Sequence, residues 1–274
     1  MKPKNTGLLM RLLNKVERQK IAACILAGGY GNRMNSSLPK VLHEILGAPM
    51  ILYTEQLMKD LGLPTYYLLS IGADKIKKTL AGRKRSFFIQ EKKPLGTGIA
   101  LGYLLKKLPS NITTLLTLHG DSSAFFRQET IDKLIDQHIS ENATVTVLTQ
   151  KVASISHTGK IIRDKKGLVT RSQELGDKTC KDCEINVGVF VFNRKWLDDQ
   201  YLQSSKNNMP VHSIVDCIEL AHKDKKKISI MELSDSGEKM HINTQEDLQK
   251  AQIIARQRIR EGLLQIPQCH KEAE

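Results

Sequence analysis

Short apolar runs rich in β-branched and aromatic residues alternate along this chain with stretches whose apolar positions recur every three to four residues. The runs Ile21–Ala27, Tyr66–Ser70, Ser86–Gln90, Thr114–Leu118, Ala143–Leu148, Ile185–Phe192 and Ile228–Glu232 read as strands. The stretches Pro49–Leu61, Asp74–Leu80, Gly98–Lys107, Glu129–Ile139, Val211–His222 and Thr244–Glu261 read as helices. Strand–helix alternation predicts an α/β fold: a mixed, mostly parallel Rossmann-like sheet with helices on both faces. Ligands in such folds sit beyond the carboxyl ends of the strands. The stretch His157 to Asp182 breaks the rhythm. Lys160–Arg163 and Leu168–Arg171 read as a hairpin across Lys165-Lys166-Gly167, a small β insertion that covers a site.

The first strand ends in Leu26-Ala27-Gly28-Gly29-Tyr30-Gly31-Asn32-Arg33-Met34, and Leu38-Pro39-Lys40 follows. Glycines let bare N–H groups approach an anion, and Arg33 and Lys40 add positive charge suited to phosphate. A dinucleotide fingerprint is excluded, because its third glycine position holds Met34. A Walker loop is excluded too, since no Gly-Lys-Ser/Thr triplet follows.

Further along, Gly120-Asp121 places a carboxylate at the carboxyl edge, a hard ligand of the type that holds Mg²⁺ beside phosphates. Asn243 with Glu246 three residues on is close to a capping box, which competes with a ligand role for that asparagine. Gly96-Thr97-Gly98 is a glycine-flanked turn whose N–H groups and hydroxyl suit a base or a phosphate. Glu184 and Asn186 start an apolar strand, where polar groups need partners, and sugar hydroxyls would serve.

The chain has 274 residues, 40% of them hydrophobic and 26% charged, which fits a globular protein. No apolar run is long enough for a bilayer. Leu9, Leu12, Leu13 and Val16 fall at helical spacing, so residues 1–20 read as a short amphipathic extension rather than a signal peptide. Residues 21–265 read as a single domain and 266–274 as a tail. Five cysteines without a leader fit the cytoplasm. Cys180 and Cys183 form a lone C-x-x-C pair, which reads as two thiols in a polar loop rather than a structural zinc site. The formal charge of +13 raises nucleic acid as a partner. The lysines are scattered, however, and no aromatic residues interleave with them, so neither nucleic acid nor membrane is expected. Part of this field can steer polyphosphates.

Taken together, these motifs resemble the nucleotidyltransferases that make nucleotide sugars, nearest the N-acetylglucosamine-1-phosphate uridyltransferase (pyrophosphorylase) domain of the GlmU family. The resemblance runs from about Ile21 to Leu264 and rests on the glycine loop, Leu38-Pro39-Lys40-Val41-Leu42-His43, Gly96-Thr97-Gly98, Gly120-Asp121, Glu184-Ile185-Asn186 and Ile242-Asn243 in order.

It implies transfer of a nucleotidyl group, from UTP, to a sugar 1-phosphate, N-acetylglucosamine 1-phosphate, with Mg²⁺. Leu26, Ala27, Gly28 and Gly29 would bind the nucleotide, with Arg33 and Lys40 on its phosphates. Gly96 and Thr97 would line the base pocket. The base-reading position falls on Glu91 without a gap and on Gln90 with one inserted residue. Asp121 and Asn243 would hold the metal, with Arg33, Lys40 and Asp121 carrying the chemistry. Gly159, Glu174 and Asn186 would meet the sugar phosphate.

The family's hexapeptide-repeat β-helix is missing after Ile266-Pro267, so neither its acetyl transfer nor its trimerisation is expected; monomer and dimer both stay open. Two other functions also stay open: a nucleotide-binding regulator without turnover, and transfer with another base or acceptor.

Overall fold

The computed structural model describes residues 18–268 apart from 30, 35, 83–85, 91–95, 156–158 and 175–178. Residues 1–17 of the expected 1–20 extension, and Glu91, lie outside the described residues. Among the described residues, one sheet runs in the order β11-β7-β10-β6-β1-β4-β5, with β8 attached to β10 and β9 to β8. Its strands are β1 (Ile21–Leu26), β4 (Thr65–Leu69), β5 (Ser86–Gln90), β6 (Thr114–His119), β7 (Val145–Ile155), β8 (Gly159–Arg163), β9 (Val169–Glu174), β10 (Cys180–Asn193) and β11 (Ile228–Glu232). A separate two-stranded ribbon pairs β2 (Glu44–Ile45) with β3 (Ala48–Pro49). β1, β4, β5 and β6 are mutually parallel, as are β7 and β11, whereas β10 is antiparallel to both β6 and β7. The expected mixed, mostly parallel sheet is therefore present.

The alternation of side chains along each strand builds two cores. Ile21, Ala23 and Ile25 of β1 face one layer, packed against α1 (Met50–Leu61), α2 (Ala73–Thr79) and α4 (Gln128–Ser140). Ala22 and Cys24 face the other, against α3 (Thr97–Leu105), α5 (Arg194–Lys206) and α6 (Asp216–Lys223). Each fully buried Leu, Ile or Phe in these layers contributes about 1.5–3 kcal/mol. The last helix, α7 (Gln245–Arg260), packs through Ala251 and Ala255 on β2, β3 and the start of α1.

Three expectations change. α5 is unforeseen: Asn193 ends β10, accepts from the Trp196 N–H at 3.0 Å and starts a helix whose apolar stripe is narrow. The helix expected from Val211 starts only at Asp216, because residues 211–215 form a connecting segment pressed on the Gly96–Gly98 turn. The hairpin expected within His157–Asp182 is present but is joined to the main sheet. β7 and β10 overrun the sheet centre and carry the β8–β9 hairpin as an arm of the same sheet, with Lys160 paired to Ile185.

Candidate active site

The parallel strands β1, β4 and β6 end at one edge, where Leu26 lies opposite both Leu68 and His119. Loop anchors continue the ladder: Ala27 N–H donates to Leu68 O at 2.9 Å and Gly120 N–H to Leu26 O at 3.0 Å. Leu26 is half-buried and Ala27 buried, so both support the loop base. At Gly28 an added Cβ would lie 3.1 Å from Ser70 Cβ, so this glycine packs on β4's end. Gly29 faces open space, with nothing within 4 Å of such an atom. Gly31 takes φ +62° and lies against the Lys40 stem, its notional Cβ 3.0 Å from Lys40 Cβ. The glycines thus do three different jobs, and Gly29 is the one that faces open space. Arg33 is exposed in the short turn that follows.

Three residues far apart in sequence converge here. The Lys40 ammonium donates to the Asp121 carboxylate and, at 2.5 Å, to Asn243 Oδ1. Burial works to raise the Asp121 carboxyl, but the Lys40 charge beside it reverses this and holds it below the ordinary carboxylate value. His119 and His241 lie nearby. Burial lowers both, His241 to about 4, so neither adds positive charge at neutral pH.

Asn243 does not cap α7. Thr244 does: its side chain accepts from Asp247 N–H at 3.1 Å, and the Asp247 carboxylate accepts from Thr244 N–H at 3.0 Å. The capping box sits one residue later than the spacing suggested, which leaves the Asn243 side-chain oxygen for Lys40. Gln245 then ties α7 to the glycine loop through Met34 O at 3.1 Å.

The Gly96–Gly98 turn is held from behind. Gly96 takes φ +127°, and an added Cβ would meet His212 O at 2.3 Å; at Gly98 one would meet Val211 O at 2.4 Å. Gly98 N–H donates to His212 O at 3.0 Å, and the Tyr201 hydroxyl donates to Gly98 O at 2.6 Å. The Thr97 hydroxyl accepts from Ile214 N–H at 3.0 Å. The paired glycines signalled a close approach, but not which segment approached. Gln90 ends β5 at the same carboxyl edge, opposite Leu69.

On the arm, Gly159 pairs in register with Glu174, and Asn186 Nδ2 donates to Gly159 O at 3.1 Å and to Ser172 Oγ at 2.7 Å. The three residues expected around a sugar phosphate are therefore neighbours. The Asn186 amide nitrogen does not wait for a sugar, however. Glu184, the other polar residue there, accepts from Thr149 Oγ1 at 2.8 Å and from Arg163 Nε at 2.9 Å. Arg163, Thr149 and Ser172 carried no sequence signal. Cys180 and Cys183 lie buried in strand β10 with their sulfurs together, not in a polar loop, and Asp182 between them takes φ +45°.

Asp121 and Asn243 fit a hard divalent cation on one observation: their oxygens already converge on a single positive group, the Lys40 ammonium. Among the described residues no cluster of three or more His, Cys, Asp or Glu could hold an ion alone, so further oxygens would come from a ligand.

Residues 23–187 match the model of the MobA-like NTP transferase domain. Proteins named Bifunctional protein GlmU are similar: that of Syntrophomonas wolfei is 33% identical over 245 residues, covering 87% of this chain and 54% of its own length. That of Clostridioides difficile is 32% identical over 245 residues, covering 88% and 52%. The chain thus spans about half the length of these relatives. Among solved structures, HddC from Yersinia pseudotuberculosis superposes with TM-score 0.65 at 21% identity, covering 85% of this chain and 98% of that one. A Bacillus anthracis protein crystallised with a sucrose superposes with TM-score 0.70 at 16% identity, covering 86% and 95%.

Proposed function

The chain belongs to the MobA-like NTP transferase family, and from that premise we propose that it joins UTP to N-acetylglucosamine 1-phosphate and releases pyrophosphate. The observation that carries this reading is the meeting of Lys40, Asp121 and Asn243, with the Lys40 stem packed against Gly31 of the glycine loop. An acid, an amide oxygen and a cation at the end of parallel strands suit a polyphosphate.

In the proposed reaction a phosphate oxygen of the sugar 1-phosphate attacks the α-phosphorus of the triphosphate. The bond from that phosphorus to the bridging oxygen breaks, and pyrophosphate leaves with the electron pair. No covalent enzyme intermediate is needed, so catalysis is positioning plus charge stabilisation. The Gly28–Gly29 backbone would face the phosphates, and Arg33 and Lys40 would stabilise the departing pyrophosphate. Asp121 and Asn243 would hold Mg²⁺, which when bound supplies neutralising charge between two anions that repel each other. Gly96, Thr97 and either Gln90 or Glu91 would meet the base. Gly159, Glu174 and Asn186 would meet the amino-sugar phosphate. This reading has the enzyme working in the cytoplasm on free small molecules.

One assay tests it. The protein is incubated with Mg²⁺, each of the common nucleoside triphosphates and a panel of sugar 1-phosphates, and pyrophosphate is measured. The expected result is release with UTP and N-acetylglucosamine 1-phosphate. Release with another pair replaces the substrates, and tight nucleotide binding without release on any pair overturns the reading.

A further inference from the structure

The Lys40 ammonium stands where the proposed reading puts a metal ion. It donates to the Asp121 carboxylate and to Asn243 Oδ1 at 2.5 Å, the two oxygens named as metal ligands. We infer that Lys40 is an internal counter-ion that closes the metal position of the free protein until the phosphates of a nucleotide draw it away. The inference rests on the reading of Asp121 and Asn243 as the metal-holding pair.

Three features support it. The first is competition for lone pairs. An ammonium and a dication need the same two oxygens, and two cations at that distance repel each other strongly. The second is shielding. The Lys40 side chain is only 11% exposed and the Asp121 side chain 27%, so solvent and salt screen their attraction weakly. A bare carboxylate there would be costly, and Lys40 removes that cost in the absence of ligand. The third is reach. Gly31 lies against the base of the Lys40 stem, its notional Cβ 3.0 Å from Lys40 Cβ. Above that contact the four-carbon stem is unbranched and flexible, so its head can exchange acceptors on the glycine-loop side.

A ligand with several phosphate oxygens offers Lys40 new acceptors on that side. Its departure frees Asp121 and Asn243 at the moment when phosphate oxygens are present to complete a coordination shell. Metal and nucleotide then favour each other by the same factor, as linkage requires. In the free protein the reverse holds: the site resists a divalent cation.

The test uses Mn²⁺ alone, without nucleotide, titrated into the full chain and read by the electron paramagnetic resonance signal of the free ion. Lys40→Met keeps the bulk of the stem and removes the charge, and Lys40→Gln keeps a polar head should the methionine variant fail to fold. Both are expected to bind Mn²⁺ at least about tenfold tighter than the unaltered protein, within the usual range of coupling between sites. Adding Asp121→Asn to either is expected to abolish the gain. Equal affinity in the unaltered protein and both variants overturns the inference. So does a gain that survives Asp121→Asn, because the ion then sits elsewhere. None of these readings depends on turnover, so failure of the pyrophosphate assay is a separate result.

Discussion

The two sides of the candidate site are held together in opposite ways. At the glycine loop, Lys40, Asp121 and Asn243 come from segments 81 and 203 residues apart and meet through the Lys40 charge. On the arm, Gly159, Glu174 and Asn186 lie within one antiparallel ladder and meet through register. The first arrangement can reorganise, because an ammonium can exchange its partners. The second is fixed by backbone pairing and by the fit of the Asn186 amide against Gly159. In the proposed reaction between two anions, that division would put adjustable charge where bonds change and a rigid seat under the acceptor.

The largest expected effect falls on the adjustable side. Asp121→Asn is expected to lower turnover at least about a hundredfold, the scale of a few kcal/mol of lost charge stabilisation. A near-normal rate in the pyrophosphate assay would remove Asp121 from the chemistry and erase the contrast.

The next concerns the root of the arm. His138 on α4 bonds Thr146 of β7 at 2.8 Å, and burial pushes its imidazole from 6.5 down to about 4. Between those values the unfolded chain takes up a proton that the folded chain refuses. Stability is therefore complete above pH 6.5 and falls as pH drops toward 4, by on the order of 3 kcal/mol. Thermal melts from pH 7 to 4 check this, and His138→Gln should flatten the slope. A wild-type curve without that fall would show that β7 does not depend on a neutral His138.

A third test isolates the rigid side. A methyl group added at Gly159 would come within 2.1 Å of Asn186 Nδ2 and 2.6 Å of Ser172 Oγ. Gly159→Ala is expected to raise KM for the sugar 1-phosphate about tenfold, a loss of about 1.4 kcal/mol. KM for the nucleotide should stay unchanged, and equal changes in both would join the two halves. The smallest effect separates neighbours on α7. Thr244→Ala should cost about 1 kcal/mol of stability in a denaturant melt with turnover kept, the usual value of a cap. Asn243→Ala should do the reverse.

Much of this organisation is legible in the residues. β1, its glycine turn and Gly120-Asp121 follow from apolar runs ending in glycine. The hairpin of the arm follows from Lys165-Lys166-Gly167. The convergence of Lys40, Asp121 and Asn243 does not follow from spacing, because nothing local records a contact across 203 residues. Only the resemblance to a family implied it. Asn243 illustrates why local rules mislead here: Asn-x-x-Glu and Thr-x-x-Asp are offset by one residue, and only the backbone turn chooses between them. α5 stayed hidden because only Trp196, Leu197 and Gln200 of its thirteen residues are buried, too narrow a stripe for a period to show. The late start of α6 has a tertiary cause, the docking of 211–213 on Gly96 and Gly98, and no propensity competes with that.

That docking has an evolutionary consequence. The turn that would hold the nucleobase leans on a wall made by α5 and the 211–213 segment, through the Tyr201 hydroxyl and the His212 carbonyl. Substitutions in the wall would shift the turn without replacing any residue that touches a ligand. Preference among bases can therefore drift from behind while the visible lining stays the same.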